Sequence, residues 1–345
     1  MEQNQHRRKF LRSTGLTIAA LGIAGNSMGK AINLFVKDKI AGKRVGIIGL
    51  DTSHSLAFTK VLNDPSAGAE FGAYKVVAAY PYGSKEIKSS FDRIAGYTED
   101  VKKLGVEISP SIDDLLTKVD VVLLETNDGR LHLEQALKVI KAGKPVFIDK
   151  PIAASLKDAA AIFAAAKKAN VPVFSSSSLR FTPGAQDIAK GKIGKVLGAD
   201  TFSPCTLEGT HPDLFWYGIH GVETLFTVMG TGCKQVVRIN TPGTDMVIGT
   251  WDDGRIGTFR GTRTGKHSYG GTAFGEMGAS TIGEYGGYNP LLVQIIEFFK
   301  TGISPVKAEE TLEIYAFMEA ADISKNNNGA PVTLNSVYTS MAGAK

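Results

Sequence analysis

Two cysteines in 345 residues, Cys205 and Cys233, are too few and too far apart to read as a zinc site or a disulfide framework. No apolar run reaches the roughly 20 residues that a membrane-spanning helix needs. Charge of one sign is also in short supply. Lysine and arginine number 39 against 34 aspartate and glutamate, a net +5, and the basic residues form no stripe interleaved with aromatics. Nucleic acid is therefore not an expected partner. Internal repeats and low-complexity linkers are missing. What remains is 43% apolar and 21% charged, the profile of a soluble α/β chain rather than a disordered or fibrous one. Its length is large for a single core, so two domains are expected.

The first forty residues stand apart. Arg7 and Arg8 precede Phe10 and Leu11 and then a short, mildly apolar run, the pattern of a twin-arginine export signal. The expected destination is the periplasm. That route carries proteins already folded, which suits a chain that takes up a cofactor before export. No cysteine follows the run, so a lipoprotein anchor is not expected. A clear small-x-small cleavage site is missing as well, so cleavage and retention as a tether both stay open. Residues 1–40 are set aside as signal and linker.

From residue 41 the pattern alternates. "KRVGIIGL", "YKVVAAY", "VDVVLLETN", "PVFIDKPIA" and "VPVF" read as buried parallel strands. Between them, "SHSLAFTKVLND", "DGRLHLEQALKVIKAGK" and "SLKDAAAIFAAAKKAN" carry apolar residues at helical spacing. Ser155 is the expected cap of the third, Gly143 follows the second, and Ser111 or Asp113 starts a shorter helix. Strand–helix alternation with short connections predicts a doubly wound parallel sheet over 41–165. Past about residue 185, "QVVRINTP", "DMVIGTWDDGRIGTFRGTR" and "GEMGASTIGEYGG" alternate around Asp-Gly and glycine-rich turns, which predicts antiparallel hairpins. Two amphipathic helices follow. Residues 166–345 are expected to form an α+β domain with an open, mostly antiparallel sheet, and the glycines of 270–287 a flexible loop.

The turn after the first strand is where such sheets cradle a pyrophosphate. Here it reads Gly49-Leu50-Asp51-Thr52-Ser53-His54. Gly49 keeps the tight turn. Asp51 stands where the second glycine lets backbone approach phosphate. At about 5 Å and an effective dielectric of about 20 its repulsion would be roughly 3 kcal/mol, significant but not prohibitive. Thr52 and Ser53 offer hydroxyls beside the helix amides. His54 replaces the third glycine, so either the helix stands off the sheet or the imidazole points toward the ligand. No carboxylate ends the second strand to hold a ribose diol. Ser84 and Lys85 there are able to take a 2′-phosphate, so NAD and NADP both stay open. A metal held by Asp51, His54 and a distant partner is allowed by the spacing, but no metal is assigned.

The segment "AGKPVFIDKPIA" resembles the Gfo/Idh/MocA oxidoreductases, with Asp149-Lys150-Pro151 in place of their Glu-Lys-Pro. "TNDGRLHLEQALKVIKAGK" before it, Arg180 to Pro183 after it and the C-terminal helix extend the resemblance over nearly all of residues 41–345. It implies hydride transfer between a sugar-like hydroxyl and a bound nicotinamide. Lys150 would hydrogen-bond the substrate oxygen, across a peptide to Pro151 that is cis in relatives, and Asp149 would lie with the cofactor. Thr126 and Asn127 would lie beside the nicotinamide ribose, and His132 would be structural. His220, in "WYGIHGVE", falls on the family's acid/base histidine. Glu223 replaces an aspartate there and Trp216 another, exchanging an acceptor for an aromatic platform. Tyr217, His211 and Arg180 join the expected substrate pocket. The resemblance also implies a homo-oligomer, dimer or tetramer, built on the second domain. An exported enzyme without a free nicotinamide pool would run a redox-neutral cycle. The competing expectation is a cofactor-free sugar-binding or accessory protein on the same fold.

Overall fold

The computed structural model describes residues 42–283 and 285–343, so the twin-arginine segment lies outside the described residues. The first sheet has six strands: β1 (Arg44–Ile48), β2 (Lys75–Tyr80), β3 (Glu107–Ile108), β4 (Val121–Leu124), β5 (Val146–Ile148) and β6 (Val173–Phe174). Their order is β3-β2-β1-β4-β5-β6 and every pairing is parallel. The order reverses between β1 and β4, which places a crevice at the carboxyl ends of these strands. All four residues of β4 are buried, because helices cover both faces.

Those helices are α1 (Ser53–Asn63), α2 (Lys88–Lys103), α3 (Ile112–Lys118), α4 (Gly129–Lys141) and α5 (Leu156–Ala169). Four have a side-chain cap: Thr52, Ser111, Asp128 and Ser155 each accept an amide hydrogen from the first turn. Ser111, not Asp113, is the cap of α3. Gly143, at φ +71, follows α4 where a left-handed residue is needed. Helix α2 is not among the elements expected from the sequence. It has no side-chain cap, and only Ser90 and Val101 are buried along it.

The second sheet runs β12-β11-β7-β10-β9-β8-β13. Its strands are β7 (Val196–Pro204), β8 (Cys233–Thr241), β9 (Thr244–Trp251), β10 (Ile256–Thr262), β11 (Gly270–Gly275), β12 (Gly278–Thr281) and β13 (Val332–Thr333). Only β7 with β10 is parallel, so the sheet is mostly antiparallel as expected. The expected flexible loop over 270–287 is corrected over its first two thirds. Residues 270–281 form the hairpin β11–β12 at the free edge of β7, and the close approach needs glycine. A Cβ at Gly271 would stand 2.3 Å from the carbonyl oxygen of Asp200.

Among the described residues there are five further α-helices: α6 (Pro183–Ala189), α7 (Ile219–Met229), α8 (Asn289–Thr301), α9 (Ala308–Asn326) and α10 (Leu334–Gly343). Helices α7 and α9 pack on the second sheet. Helix α8 does not: Leu291, Leu292, Ile295, Phe298 and Phe299 share a core with Val45, Phe58, Phe147 and Phe174 of the first sheet and α1. Phe174 and Phe298 meet edge to face with centroids 4.7 Å apart. The chain thus returns to its first sheet after building most of its second. Among the described residues no helix is long and apolar enough to cross a membrane.

Candidate active site

A cavity of about 250 Å³ opens at the carboxyl ends of β1, β4 and β5. Its floor comes from the first sheet: Thr52, Ser53 and His54 at the start of α1, Asn127 after β4, and Asp149 and Lys150 after β5. Its far wall is Trp216, Tyr217 and His220, at and just before the start of α7, with Tyr269, Tyr285 and Tyr288. The topology therefore brings together in one cavity residues separated by more than 200 positions.

Lys150 is 8% exposed, and its Nζ lies 5.9 Å from the centre of the Tyr217 ring. The Lys150–Pro151 peptide is cis. Burial, then the nearby Lys150 ammonium, hold His220 well below the usual histidine range. Its imidazole is neutral at neutral pH. Nδ1 shares a 2.7 Å hydrogen bond with Ser177 Oγ, which leaves Nε2 as the ring nitrogen available to a ligand. His132 joins the ends of two strands, with Nε2 2.6 Å from the Thr126 carbonyl and Nδ1 2.9 Å from that of Pro151. It stands behind the site, as expected.

Arg180, His211 and Glu223 were expected in the substrate pocket and do not line it. Arg180 Nε bonds Glu223 at 2.8 Å and its Nη1 reaches Glu310 at 2.7 Å. Glu223 also accepts from Ser176 Oγ and Ser177 N. The pair therefore fixes the loop that orients His220. His211 Nε2 accepts the Gly129 amide hydrogen at 3.1 Å, a cap on α4. Burial lowers its pKa to about 4, as an accepting, unprotonated nitrogen requires. A sequence motif locates such residues near a site; it does not show whether they face it.

The turn after β1 resolves the question left by its missing glycines. Gly49 sits at φ +91, and a Cβ there would stand 2.5 Å from Thr126 N, so it must be glycine. Asp51 turns away from α1. Its carboxylate is fully buried and accepts amide hydrogens from Ser84 at 3.2 Å and Asn127 at 3.1 Å. A Cβ on Gly83 would fall 2.0 Å from it. Burial pushes this carboxyl up to about 6, against the two backbone bonds that pull it down. Ser84 Oγ donates to Asp128 at 2.8 Å, and Asn127 Nδ2 donates to Ser90 Oγ at 2.8 Å. Ser84 is thus committed to the protein, and Lys85 is exposed outside the cavity. Neither residue lines the cavity. Ser89 and Arg93 of α2 line the cavity instead, missed because α2 was missed.

His54 points inward. Nδ1 lies 2.7 Å from Asp149 Oδ2 and 4.0 Å from Glu125 Oε2. Glu125, which the sequence reading passed over as a strand end, is fully buried with neither carboxylate oxygen hydrogen-bonded. Burial, then Asp149, push its pKa well above the ordinary range. Burial also pushes Asp149 upward, but His54 and Lys150 together outweigh it.

These residues fit a dinucleotide at its nicotinamide end, where Thr126 has a buried hydroxyl without a partner and Asp149 and Lys150 edge the cavity. At the ribose end, the Asp51 carboxylate ties the β1, β2 and β4 loops together. The cavity is also below the ~300–1,000 Å³ typical of sites that enclose a drug-sized ligand. A dinucleotide lying along this edge has to release that tie.

Residues 43–177 match the model of the GFO_IDH_MocA family, described as an oxidoreductase family with an NAD-binding Rossmann fold. An uncharacterized oxidoreductase of Streptococcus pneumoniae is 34% identical over 157 residues, 43% of this chain and 42% of that one. The 1,5-anhydro-D-fructose reductase of Ensifer adhaerens is 29% identical over 172 residues, 45% and 51% of the two chains. The chain thus spans about half the length of these curated relatives. A probable dehydrogenase from Thermotoga maritima has the same fold, with a TM-score of 0.69 at 20% identity over 85% of this chain and 99% of that one. So does a Lactobacillus casei myo-inositol dehydrogenase in complex with NAD(H) and myo-inositol, with a TM-score of 0.66 at 15% identity over 84% and 96%. Over residues 43–177, the stretch that forms the first sheet and carries Lys150, this chain is similar to the Gfo/Idh/MocA oxidoreductases.

Proposed function

We propose that the protein is an NAD- or NADP-dependent oxidoreductase acting on a hydroxyl of a sugar, glycoside or polyol. The observation that carries this reading is the convergence on one cavity of Lys150, at the end of the first sheet, and His220, in the first turn of α7. When bound, the nicotinamide supplies or accepts the hydride. Thr126, Asn127 and Asp149 would hold its inner half, with the amides at the start of α1 and Thr52 and Ser53 next to its phosphates. Lys150 binds the substrate oxygen and stabilises the charge that develops there. Neutral His220 takes the hydroxyl proton on Nε2 while Ser177 fixes the ring. Trp216, Tyr217 and Tyr269 offer ring faces to the apolar side of a sugar.

Several finer statements belong to the same proposal. Export by the twin-arginine route would place the enzyme in the periplasm, where a tightly held cofactor returns its hydride to the same or a second substrate. The open face of the second sheet exposes Phe202, Ile239 and Ile256, in keeping with a homo-oligomer.

The cofactor-free binding protein stays as the second reading, favoured by one observation: the Asp51 tie across the ribose end. A Lys150→Ala variant separates the two. Turnover of the dinucleotide-loaded enzyme should fall by ~10²–10³ with the melting temperature kept. Unchanged sugar affinity, with no nucleotide absorbance and no uptake of NAD or NADP by the wild type, would favour the binding protein.

A further inference from the structure

We propose that His54, Glu125 and Asp149 form a binding site for one divalent first-row transition cation, beside Lys150 at the carboxyl ends of β4 and β5. Three observations carry it. One ligand atom from each residue lies within 4.8 Å of the other two, and all three residues are buried. Glu125 is fully buried and neither of its oxygens has a hydrogen-bond partner. His54 Nδ1 lies 2.7 Å from Asp149 Oδ2, and beyond this contact neither atom has a hydrogen-bond partner. One imidazole nitrogen and two carboxyl oxygens therefore converge on one point. A buried carboxylate left in this state is costly, and a cation is the usual means of satisfying it.

The donors come from rigid positions. His54 is in the first turn of α1, Glu125 directly follows β4, and Asp149 directly follows β5. Asp149 Oδ1 is held by the amide of Lys150 at 2.8 Å, which aims Oδ2 at His54. One imidazole and two carboxylates suit manganese, iron, cobalt or zinc better than calcium, which takes oxygen ligands throughout. The two carboxylates also face the Lys150 ammonium, so the cation shares them with it. Three protein ligands leave coordination positions open. His54 and Asp149 both line the cavity, so an oxygen of a bound polyol can complete the shell. The site shares Asp149 with the proposed dinucleotide site, and the cation is tested without the dinucleotide.

The test uses the full chain, stripped with a chelator, desalted and offered Mn²⁺, Co²⁺ or Zn²⁺ alone. Metal retained after gel filtration is counted by mass spectrometry, and the Co²⁺ form is read by visible absorption. One equivalent of at least one metal should be retained, with a rise in melting temperature. Glu125→Gln should weaken binding at least tenfold. His54→Gly removes the imidazole at the helix start and keeps the test alive if Glu125→Gln fails to fold. Under a tenth of an equivalent of every metal in the wild type, or equal retention by His54→Gly, overturns the proposal. Nicotinamide binding is measured separately by fluorescence, so failure of either reading shows on its own.

Discussion

Replacing Asp51 with glycine restores the second glycine of the phosphate turn and should tighten dinucleotide binding. The wild-type carboxylate is buried against Gly83 and tied to the Ser84 and Asn127 amides. Were a phosphate charge bound about 5 Å away, at an effective dielectric of about 20, the carboxylate would repel it by ~3 kcal/mol. That corresponds to ~100-fold in dissociation constant. Stability should change little. Holding this carboxyl at about 6 rather than 3.8 costs the native state ~3 kcal/mol at pH 7. The deletion removes that cost but leaves two amide hydrogens to find water, at ~1–3 kcal/mol each if they fail. The pH dependence sharpens the test. A folded-state pKa raised above the unfolded one favours folding fully below about 3.8, and that contribution is lost as pH rises through about 6. The wild type should therefore lose stability relative to Asp51→Gly between pH 4 and 7. Titration calorimetry with NAD and NADP at pH 8 and pH 5.5 reads the binding. The gap between the proteins should be about 100-fold at pH 8 and shrink at pH 5.5, where the carboxyl is largely protonated. Equal affinities at pH 8 would show that this side chain and the phosphates never meet.

Other outcomes follow from neighbouring residues. His220→Asn keeps a partner for Ser177 but cannot take a proton, so kcat should fall by ~10²–10⁴; because burial and Lys150 hold the imidazole neutral, wild-type kcat should stay level from pH 8 down to 6. A wild-type inflection near pH 6.5 would contradict that account. Glu223→Gln leaves Arg180 buried with a weakened partner and should cost ~3–5 kcal/mol in urea unfolding, with kcat reduced through the loosened Ser176–Ser177 loop. A loss under 1 kcal/mol would mean that Glu310 alone holds the arginine. Cys205 and Cys233 are both free and buried, and burial pushes each thiol up to about 12, so neither should react with iodoacetamide until the protein unfolds.

The sheets were largely legible because their signals are local. Apolar runs mark the parallel strands, and Asp253-Gly254, with Gly254 at φ +87, marks the β9–β10 hairpin. Helix α2 has no side-chain cap to mark its start, and Ser89 and Arg93 went unseen with it. Lys150 and His220 were readable from the segments around them. The direction in which a side chain faces was not. Asp51, His54, Arg180 and Glu223 each belong to a network whose other members lie 30 or more residues away, or on another element altogether. Glu125 is the plainest case. In sequence it merely ends an apolar strand, and only the fold reveals a carboxyl with nothing to bond.

Helix α8 has a consequence for how the protein is made. One face of the first sheet, already packed by α1, stays incomplete until Phe298 and Phe299 arrive, more than 120 residues after Phe174 has been synthesised. A fragment ending at residue 177 would leave these phenylalanine contacts in water and should aggregate rather than fold. The first half of the gene product therefore waits on the last, and contacts so distant along the chain make slow folding the rule.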